Sequence, residues 1–216
     1  MSNAASWPLV EGCWCEALRP ADRGAPRPAL FLDRDGVVAV ERHFLRRVED
    51  VALIDGAAAA IAAANRAGLP VVLVSNQSGI ARGLLGWAEF AAVQREILAR
   101  LAAAGARLDL VLACPFHPDH PWRKPNPGML LEAARRLPID LARSLLVGDK
   151  ADDLRAGRAA GLRQGAHVLT GHGRAERDAA AALAGPGFAV RLWDSLAGGL
   201  ASIASLSDSP PQGGGG

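Results

Sequence analysis

Short, nearly unbroken apolar runs recur along the chain at ALFLD (29–33), PVVLVSN (70–76), LDLVLAC (108–114), SLLVGD (144–149) and AHVLT (166–170), with a weaker sixth at FAVRLW (188–193). Each has the length of a strand. Continuous apolar strands predict a sheet covered on both faces. Between the runs the period changes. In GWAEFAAVQREILARLAAAG (86–105), Phe90, Val93, Ile97 and Leu101 fall three or four residues apart, on one stripe of a helix. DGAAAAIAAANRAG (55–68) has Asp55 placed to cap a helix and Gly68 to stop it. GMLLEAARRL (128–137) follows prolines that preset a first turn, and DDLRAGRAAG (152–161) completes the series. Strand and helix in alternation predict an α/β fold: a doubly wound, Rossmann-like parallel sheet with helices on both faces. Between Asp35 and Ser75 there is room for one short loop and one helix, so no large cap domain is expected.

Outside this alternation the pattern fades. Residues 1 to 27 show no period and are punctuated by Pro, Gly and Arg, which predicts an N-terminal extension or surface wrap. Residues 28 to 200 are expected to form one domain. Residues 201 to 216, ending in SDSPPQGGGG, are expected to be a flexible C-terminal tail.

The bulk composition narrows the function. A chain of 216 residues with half of them apolar and 21% charged is an ordinary globule with a sizeable core. A formal charge of +2 gives no basis for a nucleic-acid partner or an anionic membrane surface. No window reaches 18 apolar residues, and the N-terminus lacks a basic segment followed by an apolar run, so a cytoplasmic location is expected. The three cysteines, Cys13, Cys15 and Cys114, make no disulfide framework, and Cys13-Trp14-Cys15 lacks the spacing of a redox motif. Nothing in the sequence sets an oligomeric state.

In open α/β sheets, ligands bind beyond the carboxyl ends of the strands. The polar residues there are Asp33 and Asp35, Ser75 and Asn76, the loop from Cys114 to Lys124, and Asp149 with Lys150. Two aspartates two residues apart repel each other, and a divalent cation with a taste for oxygen relieves that repulsion. Asp149 offers a third oxygen ligand. Ser75 and Asn76 bring a hydroxyl and an amide suited to a phosphoryl oxygen, and Lys124 adds a point charge. Together these parts describe phosphoryl transfer: one carboxylate attacks phosphorus, Mg²⁺ and Lys offset the developing charge, and a second carboxylate handles the leaving-group proton.

These stretches also resemble a known family. D-x-D-G at Asp33–Gly36, Ser75, Lys124 and G-D-x-x-x-D at Gly148–Asp153 are similar to the four motifs of the haloacid-dehalogenase-like phosphatases. FLDRDGVV, SNQSGIARG, RKPNPGM and VGDKADDLRAG resemble in particular the branch that hydrolyses D-glycero-D-manno-heptose 1,7-bisphosphate, which neighbours the histidinol-phosphatase domain. The resemblance spans roughly residues 28 to 195 and implies Mg²⁺-dependent hydrolysis of a small phosphorylated metabolite. By position it implies that Asp33 is the nucleophile and Asp35 the acid/base. It further implies Mg²⁺ on the Asp33 carboxylate, the Asp35 carbonyl and Asp149, with Asp153 orienting from behind. Ser75 and Lys124 match the phosphoryl-stabilising pair. Glu41, Arg42, His43, Phe44, Asn76, Gln77, Ser78, Arg123 and Lys150 fall where the family contacts substrate.

The loop CPFHPDHPWRKPNPGM (114–129) departs from that pattern. The family's loop carries zinc through Cys-x-His and Cys-x-Cys. Here Phe116 and Trp122 stand at two of those positions, and His120 falls near a third. Cys114, His117 and His120 are the local candidates, and three ligands do not close a structural zinc site. The expectation is therefore no zinc, with Phe116, Trp122 and Pro115, Pro118, Pro121 and Pro125 stiffening the loop so that it presents Arg123 and Lys124. Two other classes share parts of this signature. A phosphoacceptor signalling domain also uses acids, a hydroxyl and a lysine, but an acid at Asp35 would shorten the life of its acyl phosphate. A catalytically silent scaffold would be expected to lack a motif residue, and none is missing.

Overall fold

The structure is a computed structural model, and it describes residues 7–20 and 24–208. The chain runs through β1 (Leu9–Val10), β2 (Cys13–Ala17), β3 (Leu30–Leu32), α1 (Ala57–Arg66), β4 (Val71–Asn76), α2 (Ser78–Ala81), α3 (Trp87–Ala103), β5 (Leu110–Cys114) and α4 (Gly128–Arg136). It continues through β6 (Leu145–Gly148), α5 (Ala151–Ala159), β7 (Gln164–Val168), α6 (Gly173–Ala181), β8 (Ala189–Trp193) and α7 (Leu200–Ala204). All eight strands join one sheet in the order β1-β2-β5-β4-β3-β6-β7-β8. The pairs from β5 across to β8 are parallel, while β1 and β2 run antiparallel along the β5 edge.

The continuous apolar strands do what their pattern requires, since both faces are covered. In β3, Leu30 and Leu32 enter one core and Phe31 the other. The first core packs against α1, α3 and α7, with Phe90, Val93, Ile97 and Leu101 of α3 fully buried. The second packs against α4, α5 and α6 through residues such as Met129, Leu154 and Ala180. Helix ends follow local chemistry. Glu89 accepts the Gly86 N–H at 3.0 Å to start α3. Asp55 makes no cap on α1. The corner there is turned by Gly56 at φ 72°, in the left-handed region that suits glycine. Gly68 ends α1 as expected, also at φ 72°, with the Leu69 N–H reaching back to the Ala64 carbonyl.

Two segments are more structured than the sequence pattern indicated. The first 27 residues contain the β1–β2 hairpin, which lengthens the sheet rather than wrapping it. Along β2 the side chains alternate: Cys13 and Cys15 enter the core under α4, while Trp14 enters the core under α3. Trp14 packs on Trp7, Trp87 and Phe90 with ring centroids 5.8, 5.6 and 5.1 Å away, each pair adding about 0.5–1.5 kcal/mol beyond area burial. At the other end, α7 and the turn after it bury Ile203 and Leu206, so residues up to 208 belong to the fold. Residues 209 to 216, the rest of the expected tail, lie outside the described residues.

Between Asp35 and α1 there is only a loop with one 3₁₀ turn (Val48–Asp50), so no large cap covers the sheet. Among the described residues, no helix is long and apolar enough to cross a membrane. Strand order places β4 and β5 on one side of β3, and β6, β7 and β8 on the other. The chain therefore reverses direction of growth between β3 and β6, where a crevice opens beyond the strand ends.

Candidate active site

That crevice collects the charged residues. Asp33 leaves β3 with its N–H on the Val147 carbonyl of β6, at 3.0 Å. Lys124 arrives from the loop after β5 and is only 3% exposed. Its Nζ donates to Asp33 Oδ1 at 2.8 Å, to the Val74 carbonyl at 2.8 Å, and pairs with Asp153 Oδ1 at 2.6 Å. Burial works against the Lys124 charge, but Asp153 and Asp33 outweigh it and hold the ammonium above its ordinary range. The second oxygen of Asp153 accepts the Lys150 N–H at 3.0 Å and so opens α5. Both oxygens of Asp153 are thus engaged.

Asp149, at the end of β6, is different. Its Oδ2 accepts the His172 N–H at 2.8 Å, whereas its buried Oδ1 has no partner. Burial, with Asp33 and Asp153 nearby, pushes its carboxyl up to about 8, and burial pushes Asp33 up to about 6. Oxygens of Asp33, Asp149 and Asp153 lie within 4.8 Å of one another. A carboxylate oxygen left orphaned beside two other acids fits a hard cation such as Mg²⁺, which supplies the missing positive charge. Gly36 and Gly171 make room for this carboxylate. A Cβ on either, built at 2.4 Å and 2.3 Å from Asp149 Oδ2, would collide with it.

Asp35 points elsewhere. Its carboxylate takes Nε (3.0 and 3.1 Å) and Nη2 (2.8 Å) of Arg34, which is only 1% exposed and lies over the Phe90 ring. Gln77 Nε2 donates both to Asp35 Oδ2 (3.0 Å) and to Ser75 Oγ (2.8 Å), and its Oε1 accepts from Arg34 Nη2 (3.2 Å). Gln77 therefore ties the hydroxyl to the second acid. Asn76 binds the Lys124 main chain.

A cavity of about 250 Å³ lies over these groups. The structure brings Asp33, Asp35, Ser75, Asn76, Gln77, Ser78, Arg123, Lys124, Lys150, Glu41, His43 and Phe44 to its wall. Arg42 is exposed and takes no part in the lining. Its neighbours His43 and Phe44 have φ 47° and 67°, in the left-handed region, and both line the cavity. Asp152 and His172 also line the cavity and were not expected. His172 follows β7 in TGHG, where a strand exit flanked by glycines was the available signal. Arg34 carried no signal, because its role depends on packing against Phe90.

The loop's local candidates, Cys114, His117 and His120, are not the set that the fold brings together. His117 is exposed and sits beside Arg82, its Nε2 3.1 Å from the guanidinium. Trp122 is buried, as the packing expectation required. The thiols and imidazole that do converge are Cys13, Cys114 and His120.

Residues 121–195 match the HAD-hydrolase-like family model. The chain is 48% identical over 212 residues to the D-glycero-beta-D-manno-heptose-1,7-bisphosphate 7-phosphatase of Mesorhizobium japonicum, covering 92% of this chain and 93% of the relative. A crystal structure of a HAD-like phosphatase from Mesorhizobium loti superposes with a TM-score of 0.83 at 45% identity, covering 94% of this chain and 98% of that one. The D,D-heptose 1,7-bisphosphate phosphatase of B. bronchiseptica, solved with magnesium and phosphate, superposes with a TM-score of 0.74 at 35% identity, covering 82% and 97%. With its motifs at the switch point and matches of this extent, the chain belongs to the haloacid-dehalogenase-like hydrolases, in the family of the heptose-bisphosphate phosphatases.

Proposed function

We propose that the chain is a magnesium-dependent phosphomonoesterase that removes the 7-phosphate of D-glycero-D-manno-heptose 1,7-bisphosphate through a phosphoaspartate on Asp33. The observation that carries this reading is the Lys124 ammonium bridging Asp33 and Asp153 beside the orphaned Asp149 Oδ1. Mg²⁺, held by the Asp33 carboxylate, the Asp35 carbonyl and Asp149, would supply positive charge where phosphoryl oxygens gather it. Lys124 locks Asp33 so that one carboxylate oxygen is aimed at phosphorus. Lys124 and Ser75 steady the phosphoryl oxygens.

Asp33 forms the new O–P bond as the sugar oxygen departs, and Asp35 gives that oxygen a proton. Asp35 then takes a proton from water, which attacks the phosphoaspartate, releases phosphate and restores Asp33. To reach the leaving oxygen the Asp35 carboxylate has to give up Arg34 and Gln77, so those two residues set where it rests between steps. The same turnover role separates this site from a phosphoacceptor signalling domain, whose acyl phosphate has to last.

The non-reacting half of the substrate meets Arg123, Lys150, Glu41, His43 and Phe44 on the cavity wall. Two cations beyond Lys124 favour a substrate with a second phosphate over histidinol phosphate, the alternative for the same chemistry. A phosphate-release screen with Mg²⁺ tests this on the heptose bisphosphate, hexose mono- and bisphosphates and histidinol phosphate. The heptose bisphosphate should give the highest kcat/KM. A higher value for histidinol phosphate would overturn the substrate assignment, and no release from any ester would overturn the reaction.

A further inference from the structure

The rim loop after β3 spans the mouth of the cleft from one side to the other. At one end Phe44 rests against Gly79 of α2, where a Cβ would come within 2.7 Å of its ring. At the other end Glu41 faces His172, from the loop after β7, with Oε2 3.8 Å from Nε2. In the sheet order β5-β4-β3-β6-β7, Arg123 follows β5 and His172 follows β7, so they flank Asp33 from opposite sides.

The imidazole is held in place by its own loop. The His172 N–H donates to Asp149 Oδ2 at 2.8 Å, Thr170 Oγ1 donates to the Gly36 carbonyl at 2.5 Å, and His167 Nε2 lies 2.8 Å from the Gly173 carbonyl. At Gly173 a Cβ would stand 1.7 Å from the Val168 carbonyl oxygen, so the chain packs on itself there with no space for a side chain. Glu41 is constrained as well. Its Oε1 accepts the His43 N–H at 2.8 Å, which leaves Oε2 turned towards His172. A separation of 3.8 Å is beyond hydrogen-bond reach, so the two side chains do not satisfy each other. Both line the cavity, His172 at 43% exposure and Glu41 at 21%.

A carboxylate oxygen and a ring nitrogen at this spacing suit a group that donates to the first and accepts from the second. A sugar hydroxyl does both, whereas a phosphate dianion only accepts and is repelled by the carboxylate. We propose that His172 and Glu41 Oε2 together read a hydroxyl of the substrate's polyol chain. His172 is then a specificity-determining residue that favours sugar phosphates over esters without hydroxyls. The inference rests on the phosphomonoesterase reading above, and it adds a polyol side of the cleft to the phosphate side marked by Arg123. No titration is required, because the Nε2–H tautomer and the imidazolium both donate to a hydroxyl oxygen.

The test compares the sugar phosphate that wild type turns over best with the alkanediol phosphate of the same carbon and phosphate count, which has no hydroxyls. Wild type should favour the sugar. His172→Leu should lower kcat/KM for the sugar about 10- to 100-fold, chiefly through KM, and for the alkanediol ester less than about threefold. His172→Gln keeps an N–H and should lose less than His172→Leu. Glu41→Ala combined with His172→Leu should cost the sugar little more than either alone, because one hydroxyl is read by both. Melting temperature reports whether each variant folds. If His172→Leu does not, the same cycle is run with His172→Gln. Equal losses on the two esters would overturn the proposal and leave His172 acting only through Asp149, with the phosphatase reading intact. Additive losses in the double variant would overturn it too. A wild type that prefers histidinol phosphate would sink this inference together with the heptose assignment, and no release from any ester would sink the reaction and the hydroxyl-reading pair with it.

Discussion

Asn76 and Lys124 are joined by a reciprocal pair of hydrogen bonds: the Asn76 amide donates to the Lys124 carbonyl at 2.8 Å, and the Lys124 N–H donates to Asn76 Oδ1 at 3.0 Å. The last residue of β4 thereby sets the backbone of the loop after β5. Substrate contact was the role expected of Asn76, and its place in the cavity wall is compatible with both.

Asn76→Ala should therefore act through Lys124. Losing two partly buried hydrogen bonds, at about 0.5–1.5 kcal/mol each, predicts a fall in kcat/KM of roughly 5- to 150-fold with the helical signal unchanged. Wild-type kinetics would mean that the ion pairs of Lys124 hold the loop alone.

Asp33→Asn should abolish turnover, because an amide is too weak a nucleophile. The variant should still fold. The wild-type carboxyl is already disfavoured by burial, and Lys124 retains Asp153. Melting at or above the wild-type temperature with only trace phosphate release is the expected result; retained activity would remove Asp33 from its assigned role.

Asp35→Asn should distinguish leaving groups. An alkyl phosphate needs a proton on its departing oxygen, and general acid catalysis of that kind is worth about 10²–10⁴-fold. p-Nitrophenyl phosphate does not need it and should lose much less in the phosphorylation step. Equal losses in burst-phase measurements would leave Asp35 as a metal-side residue only.

Arg123→Ala should cost the bisphosphate sugar about 2–3 kcal/mol in kcat/KM and a small aryl phosphate far less, since only the former reaches beyond Lys124. Its guanidinium is already braced on the Phe116 carbonyl at 3.2 Å, which keeps it directed along the cavity wall.

Metal removal gives a pH signature. Asp149 and Asp33 have folded values raised to about 8 and about 6, so each contributes stability that is fully present below its unfolded value and is lost as pH rises through the folded one. Chelated protein should lose melting temperature between about pH 4 and pH 8 from these groups. Mg²⁺ should restore it, more at pH 8 than at pH 5.5, because protons and metal compete for the same oxygens. A metal effect independent of pH would place the cation elsewhere.

The sequence was informative where one local rule sufficed. The β3 to β6 strands are continuous apolar runs, and the acids at Asp33, Asp35 and Asp149 sit at strand exits, so fold and chemistry could be read together. The β1–β2 hairpin escaped because Cys13, Trp14 and Cys15 are all apolar in character, which hides the alternation that splits them between two cores. The neighbours of Cys114 were hidden for a related reason. Spacing within one loop groups Cys114 with His117 and His120, whereas strand register sets Cys13, from about a hundred residues away, beside Cys114 and His120. His172 and Arg34 gain their importance only from what they touch.

The open cleft has a consequence for engineering. With no cap to exchange, a change of substrate has to be made on the rim, in the stretch from Glu41 to Phe44 and the loop ending at Lys124. Neither is an independent cassette. Phe44 lies where a Cβ on Gly79 would come within 2.7 Å of its ring, and Phe116 stands in the same relation to Gly12. A graft that carries a new rim onto this scaffold has to carry the facing glycine with each aromatic, so the transferable units are pairs of segments distant in sequence.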